Sequence, residues 1–157
     1  MTVRFFVPGE PQSGGSKRAF AIHTGNFKRG NKGQLQEVVA TVVSDSNPKA
    51  KGWKSRVADA CRDTYHGPLL PGPLRVRMTF TFSHIKGHYG TGKNKNTLKA
   101  GAPFWKTTKP DHIKLARPTE DALTKVLWVD DSQLVDVRIL KCYGVTPGVE
   151  IEVEPAE

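Results

Sequence analysis

Residues 109–136, KPDHIKLARPTEDALTKVLWVDDSQLVD, are the stretch around which the chain is organised. The carboxylates gathered within it are Asp111, Glu120, Asp121, Asp130, Asp131 and Asp136. Basic residues lie between them, and a strongly apolar segment follows. Because hard divalent cations prefer oxygen ligands, this concentration of carboxylates in an otherwise basic chain predicts a site for such a cation.

The net charge of +9 is spread unevenly along the chain. Residues 1–110 carry 19 Lys and Arg against 5 Asp and Glu, a balance of +14. Residues 111–157 carry 5 against 10, a balance of −5. A basic surface attracts a polyanion in a salt-dependent way. Carboxylates repel phosphate unless a metal ion lies between them, so the combination favours metal-dependent phosphate chemistry.

The length of 157 residues predicts a single domain over residues 1–157. No apolar run reaches the roughly 18 residues of a membrane span. The opening MTVRFFVPGEP is too short and too polar for a signal peptide, so we expect a cytoplasmic protein that does not contact membranes. Cys61 and Cys142 lie far apart in apolar surroundings, which favours buried free thiols over a disulfide.

Alternation of apolar and polar residues predicts several strands. Val3, Phe5 and Val7 alternate with more polar neighbours before Pro8-Gly9 ends the strand. The strongest strand is PLRVRMTFTF at 73–82, with an apolar face and a second face that carries Arg75 and Arg77. Near the C-terminus, Leu134–Lys141 and the alternating residues 149–154 predict a hairpin that turns at Gly144–Gly148.

Helical spacing of Trp53, Val57 and Cys61 predicts an amphipathic helix over about 49–65. Asn47-Pro48 marks its beginning, and Trp53 is expected to be a core anchor rather than a base-stacking platform. A second helix is expected within 109–136, where Pro118 predicts a kink or a late helix start. The order β-α-β-α-β-β indicates an α+β fold with two main helices against a mixed sheet.

Two basic segments, about 9–34 and 84–109, are predicted to be loops. The first is a loop or a hairpin, and VVATVV at 38–43 fits either a strand or part of a helix. His88 and Tyr89 in the second segment are candidates for stacking on bases. The predicted DNA contacts are Lys17, Arg18, Arg75, Arg77, His88, Lys93, Lys95, Lys99 and Lys114.

GHYGTGKN at 87–94 matches the first seven positions of the phosphate-binding pattern G-x-x-x-x-G-K-[ST] and follows a strand. Asn94 stands where the pattern needs a hydroxyl for magnesium, and the residues that follow do not begin a helix cleanly. A nucleotide-binding enzyme is therefore disfavoured, and no nucleotide cofactor is expected.

The acidic stretch resembles the signature of the RusA-type Holliday junction resolvases. KPD, Leu115, Arg117, DAL at 121–123 and VLWVDDSQ at 126–133 follow the family pattern K-P-D-x-D-N-L-x-K-x-x-x-D-A-L and then D-D-x-Q-V. The resemblance is most specific over 109–136 and extends loosely back to His84. VPGEP at 7–11 and the closing PGVEIEVE also fit, whereas about 12–72 contributes little.

This resemblance implies a homodimeric endonuclease that depends on Mg²⁺, with Mn²⁺ as a possible substitute, and cuts branched or four-way DNA by paired incisions. Members are common in bacteriophages and prophages, where they act in DNA recombination and repair within the host cytoplasm. By position, Asp111 and Asp131 match the catalytic aspartates, and Asp130 lies beside the second. Arg117 occupies the place of a functional lysine, and Asp121 matches the aspartate of DAL.

Ile113 stands where the family has its second aspartate. On a helix, Glu120 faces within roughly 20° of Ile113, although about 10 Å further along the axis. We therefore hypothesise that Asp111, Glu120 and Asp131 hold one or two Mg²⁺ ions, with Asp121 and Asp130 in reserve and Arg117 stabilising the transition state. The alternatives are that Glu120 is simply exposed on the helix, and that the protein binds junctions with impaired cleavage.

Overall fold

Six strands and two helices form an α+β fold, the class that the sequence predicts. The computed structural model describes residues 1–157, except for the side chains of Lys17 and Asp45. The elements are β1 (Val3–Pro8), β2 (Lys17–Arg29), β3 (Leu35–Asp45), α1 (Ala50–Thr64), β4 (Leu74–Ser83), α2 (His112–Leu123), β5 (Leu134–Gly144) and β6 (Gly148–Pro155). Neither described helix is long and apolar enough to cross a membrane.

Strand β4 lies inside a four-stranded sheet of order β1-β6-β4-β5. It pairs antiparallel with β6 and parallel with β5, while β6 also pairs antiparallel with β1. The predicted hairpin of β5 and β6 is therefore wrong, because β4 lies between them and hydrogen-bonds to both. Short-range alternation predicted the two strands and the turn, but it carries no information about which strand becomes the neighbour.

The hydrophobic core lies between one face of the sheet and the two helices. The predicted inner faces of β1, β4 and β6 are buried, which confirms the alternation. Trp53 of α1 and Leu115 and Leu123 of α2 are fully buried in the same cluster, so Trp53 is the predicted core anchor. Strand β5 forms an edge of the sheet, and its Val135 is 61% exposed.

The segment for which the sequence left loop, hairpin and helix open is an antiparallel hairpin of β2 and β3. Among the described strands, these two pair only with each other. The hairpin exposes large apolar side chains, namely Phe20, Ile22, Phe27, Leu35, Val39, Val42 and Val43. Because an isolated two-stranded hairpin is marginally stable in water, this surface is suited to packing against another molecule.

Helix α2 continues through Pro118 instead of beginning there. Proline has no N–H, so the carbonyl of Lys114 loses the donor it would have four residues later. The backbone N–H of Gly14 donates to that carbonyl at 2.9 Å. Pro118 therefore creates the point at which the loop after β1 attaches to α2.

Cys61 and Cys142 are buried free thiols, as predicted. Burial raises the pKa of the Cys61 thiol to about 11. Since the thiolate is the reactive form, only about one molecule in a thousand is reactive at Cys61 at pH 8.

We expect iodoacetamide to leave Cys61 unmodified in the native protein and to alkylate it in urea, as measured by peptide mass spectrometry. Equal labelling rates in the two conditions would contradict this burial.

Candidate active site

Helix α2 presents the candidate site residues along its length. Asp111 is the residue that immediately precedes the helix, and its exposed side chain makes no capping hydrogen bond. Lys114 Nζ lies 3.8 Å from Asp111 Oδ2. Ile113 is 60% exposed on the first turn, so the departure from the family pattern is a change of surface chemistry rather than of core packing.

Lys141 of β5 holds the backbone that leads into Asp111. Its Nζ donates to the carbonyls of Thr108 at 2.9 Å and Pro110 at 2.7 Å. Sequence reasoning missed this role, because alternation places Lys141 on a strand face without revealing which loop it meets. Lys141 is a positioning residue for the start of α2.

A groove runs between α2 and the loop that follows β1. It consists of two adjoining cavities of about 360 and 490 Å³, which share Gly15, Ser16 and Lys114. The smaller cavity is also lined by Lys54, Ile113, Arg117 and Asp121, and the larger by Lys109 and Asp111. The groove thus brings cationic side chains and carboxylates together on one surface.

The wall of the groove opposite α2 is fixed by hydrogen bonds to the end of the hairpin. Ser16 N–H donates to Ser46 Oγ, and Ser46 N–H donates to the Ser16 carbonyl, each at 2.9 Å. Gly15 has φ +67°, and a Cβ there would lie 2.4 Å from Ser46 Oγ. Residues 14–16 were predicted only as part of a basic loop, and the Gly-Gly pair was the available signal for a close backbone approach.

Glu120 is half-buried in the last part of α2. Burial raises the pKa of its carboxyl, the charges of Asp131 and Asp121 raise it further, and Arg117 lowers it. The predicted neighbours Glu120 and Asp131 are therefore close enough to repel each other. Two such carboxylates are suited to a hard divalent cation, which would neutralise their charge and accept their oxygen atoms as ligands.

Asp111 lies at the other end of α2 from this pair. Nine residues at 1.5 Å each separate Asp111 from Glu120 by about 13 Å along the helix axis. Among the side chains that the structure describes, no three from His, Cys, Asp and Glu are grouped closely enough to hold one metal ion. Asp111, Glu120 and Asp131 thus do not form one three-ligand group within a single chain, and the role of Glu120 in place of Ile113 stays a prediction.

Asp130 and Gln133 shape the turn that carries Asp131. The Asp130 carboxylate accepts a hydrogen bond from Ser132 N–H at 2.9 Å, and its hydrogen bonds with Ser132 lower the pKa of this carboxyl. Gln133 Oε1 accepts from the N–H groups of Val129 and Asp130 at 2.8 and 3.1 Å. Asp130 therefore caps this turn, in addition to the catalytic role predicted for it.

The amide group of Gln133 also ties this turn to the loop before β4. Its Nε2 donates to the carbonyls of Leu70 at 3.0 Å and Gly72 at 2.8 Å. Four backbone groups from two segments therefore depend on one side chain.

Asp121 and Arg117 both face the groove. Lys54 Nζ of α1 lies 2.9 Å from Asp121 Oδ2, an ion pair that joins the two helices. The exposed Arg117 guanidinium lines the same cavity. Asp121 therefore has a structural contact, whereas the role predicted for Arg117 at the phosphate stays a prediction.

The predicted DNA contacts on β4 lie on the sheet face opposite the helices. Arg75 Nε lies 2.8 Å from Asp136 Oδ2, and Arg75 Nη1 lies 3.0 Å from Glu154 Oε1. Arg77 stands opposite Glu152 in the register of β4 and β6. Positive and negative charges on this face are locally balanced, so it offers DNA less positive charge than the alternation of residues suggested. The DNA-binding roles of Arg75 and Arg77 stay predictions.

The loop between β4 and α2 is ordered by its own contacts. Lys93 and Lys95 are exposed, whereas Lys99 Nζ donates to the Gly87 carbonyl at 2.9 Å. His88 packs edge-to-face on Tyr143, with ring centroids 4.7 Å apart. Burial lowers the pKa of His88, and neighbouring positive groups lower it further.

The same loop contains Tyr89, the second residue predicted to stack on bases, and GHYGTGKN at 87–94, which partly matches a phosphate-binding pattern. The Tyr89 ring lies edge-on to that of His84, with centroids 6.2 Å apart, so both His88 and Tyr89 contact neighbouring rings, and their stacking on bases stays a prediction. Residues 95–100, which directly follow Asn94, form turns and a bridge rather than a helix. In the first basic segment, Arg18 is exposed on β2, and the side chain of Lys17 lies outside the described part of the chain.

We predict that Gln133→Leu lowers the free energy of unfolding by about 1–3 kcal/mol, because it leaves backbone groups unpaired at Val129–Asp130 and at Leu70–Gly72. Gln133→Glu is the matched control. It keeps the accepting oxygen and loses the donor, so we expect a loss smaller than that of Gln133→Leu in urea unfolding. A Gln133→Leu protein as stable as the parent would show that these four hydrogen bonds do not hold the turn.

The comparisons with known proteins agree with this arrangement. The sequence profile of the family described as endodeoxyribonuclease RusA matches residues 24–154. The uncharacterized protein YqaN of Bacillus subtilis (strain 168) is 27% identical over 149 residues, which cover 95% of this chain and 93% of that protein. Nucleases of the matched family depend on a divalent metal ion. This chain therefore belongs to the RusA family, and it is an endodeoxyribonuclease of the Holliday junction type.

Proposed function

We propose that the protein resolves four-way DNA junctions as a homodimer, by Mg²⁺-dependent hydrolysis of one phosphodiester bond on each of two strands. Mn²⁺ is the expected substitute, and a bacterial cytoplasm that hosts a phage or prophage is the expected compartment. The observation that supports the proposal is the groove along α2, which is lined by Asp111 and Asp121 together with Lys114 and Arg117.

A two-fold dimer accounts for the separation of Asp111 from Glu120. In one chain, Asp111 is too far along α2 to share an ion with Glu120 and Asp131. When two copies of a helix pack antiparallel about a two-fold axis, the first end of each lies beside the last end of the other. Each of two identical sites then contains Asp111 from one chain and Glu120 with Asp131 from its partner, which suits paired incisions.

The β2–β3 hairpin supplies apolar surface for such an assembly. Phe20 stands opposite Val42 in the hairpin register, and Ile22 follows two residues later on the same face. All three side chains are exposed in the single chain. Burying apolar area of this kind is the usual driving force for stable association.

The cationic side chains of the groove hold the DNA backbone in this proposal. Lys114 and Arg117 project from α2, and Lys54 lines the same cavity from α1. A bound divalent ion would lower the pKa of the attacking water and polarise the scissile phosphate. The exposed Arg117 guanidinium can bind two phosphate oxygens at once and stabilise the negative charge that grows there.

A second candidate function is junction binding without cleavage. It is favoured by one observation: an exposed isoleucine, Ile113, lines the groove at the family's second aspartate position. An apolar side chain cannot bind a cation, so the metal affinity of the site would fall while the cationic groove still bound DNA.

We predict symmetric nicks when the purified protein is incubated with a synthetic four-way junction in Mg²⁺. Asp131→Asn is expected to reduce cutting by roughly 100-fold or more, since even outer-shell partners of catalytic metals matter by 10- to 100-fold. Glu120→Gln is expected to reduce cutting while the junction still shifts on a native gel. A junction that shifts and stays uncut by the parent protein supports the binding function. Full cutting by Glu120→Gln removes Glu120 from the site.

The shared site is tested by mixing two inactive variants. Asp111→Asn and Asp131→Asn homodimers each lack a ligand in both sites. In a mixed dimer with shared sites, one site loses both ligands and the other regains both, so we expect nicking of one strand per junction. Sites built within single chains leave every site defective, and the mixture then stays inactive although light scattering shows dimers.

A further inference from the structure

Phe104 and Trp105 form an exposed aromatic pair on the segment that leads into Asp111. Their ring centroids lie 4.7 Å apart in an edge-to-face arrangement, and the two residues are 61% and 56% exposed. The other tryptophans of the chain, Trp53 and Trp128, are fully buried. Two adjacent large aromatic side chains in water are unfavourable by themselves, which indicates a contact surface.

The backbone beneath the pair is held against the edge of β5. Tyr143 N–H donates to the Phe104 carbonyl at 2.8 Å, and Lys106 N–H donates to the Lys141 carbonyl at 3.1 Å. Trp105 forms a bridge with Cys142. The two rings are therefore presented outward from a fixed backbone rather than from a loose loop.

The same part of β5 also holds the approach to Asp111. Lys141 Nζ binds the carbonyls of Thr108 and Pro110. Residues 104–110, here called the strap, are thus one piece that carries the aromatic pair at one end and meets Asp111 at the other. Six residues of extended chain span at most about 22 Å, the length of roughly six nucleotides of a DNA strand.

The charge of the strap favours a nucleic acid as the occupant. Lys106 Nζ lies 5.0 Å from the Phe82 ring centroid and 5.2 Å from that of Tyr143, and Lys109 lies two residues before Asp111. A two-fold contact between two straps would bring these lysines against their own copies. A DNA strand instead offers phosphates to the lysines and aromatic faces to the rings.

We propose that Phe104 and Trp105 stack on unpaired bases at the branch point of the junction. This inference rests on the proposed function and assigns the feature of the substrate that the protein recognises. Bases inside a duplex have both faces covered by their neighbours, whereas bases at an opened branch point have free faces. Stacking on an aromatic side chain is sequence-tolerant, because every base has such a face.

The test uses the full-length protein in Ca²⁺ without Mg²⁺, with 2-aminopurine placed at the branch point of a four-way junction. We expect the parent protein to change the 2-aminopurine fluorescence, and the double variant Phe104→Ala with Trp105→Ala to abolish that change. We also expect this variant to bind the junction at least about 10-fold more weakly and linear duplex less than about 2-fold more weakly. Trp105→Phe should keep most of the signal, because it keeps an aromatic ring.

Val145→Ala is the matched control, since Val145 is 94% exposed in the turn between β5 and β6. It should leave every signal unchanged. Equal losses on junction and duplex would overturn the proposal in favour of plain backbone binding. An unchanged 2-aminopurine signal with a lower mass in light scattering would overturn it in favour of a contact between copies.

Stacking and cutting are read out separately in this design. If the parent protein changes the branch-point signal but never cuts in Mg²⁺, the proposed hydrolysis is wrong and the stacking inference stands. If the parent protein cuts junctions and the double variant behaves like the parent, the proposed hydrolysis stands and the stacking inference is wrong. Unfolding of each variant in urea, compared with the parent, shows whether any loss comes from the fold.

Discussion

The hydrogen bond from Gly14 N–H to the Lys114 carbonyl is the contact on which the site depends. Pro118 leaves that carbonyl without its helical donor, and Gly14 replaces it from a distant part of the chain. As a result, α2 runs unbroken from His112 to Leu123, and the loop after β1 is held beside it as the wall of the groove. One missing N–H thus leaves a helix carbonyl that binds the partner loop.

An unbroken α2 has a consequence for the chemistry. It places Asp111 and Glu120 near opposite ends of one rigid element, so the spacing between these two residues cannot relax by bending a loop. In the proposed dimer, two chains would complete each other's sites, because antiparallel packing brings the first end of one α2 beside the last end of the other. In that dimer, the ligand missing at Ile113 need not be replaced by a neighbour on the same helix. Ile113 itself gives the groove an apolar lining.

Strand β5 organises the other side of the site. Through Lys141 it holds the residues before Asp111, and through the backbone of residues 141–143 it holds the aromatic strap. The turn that carries Asp131 comes immediately before β5 and is fixed by Gln133. On the outer face of the sheet, arginines and carboxylates balance each other, so this face offers DNA little net positive charge.

The sequence alone determined the strands with period-two burial, the helix α1, the core role of Trp53 and the family, because each of these is written in short-range spacing. It did not determine that β4 separates β5 from β6, since alternation describes the faces of a strand and not its neighbours. Nor did it show the hairpin of β2 and β3, where a basic, glycine-rich composition hid the pairing. The separation of Asp111 from Glu120 by an unbroken α2 was decided only by the tertiary structure. It requires that the helix continue through Pro118, where the N–H of Gly14, about a hundred residues away, donates to the carbonyl that the proline leaves without a helical donor.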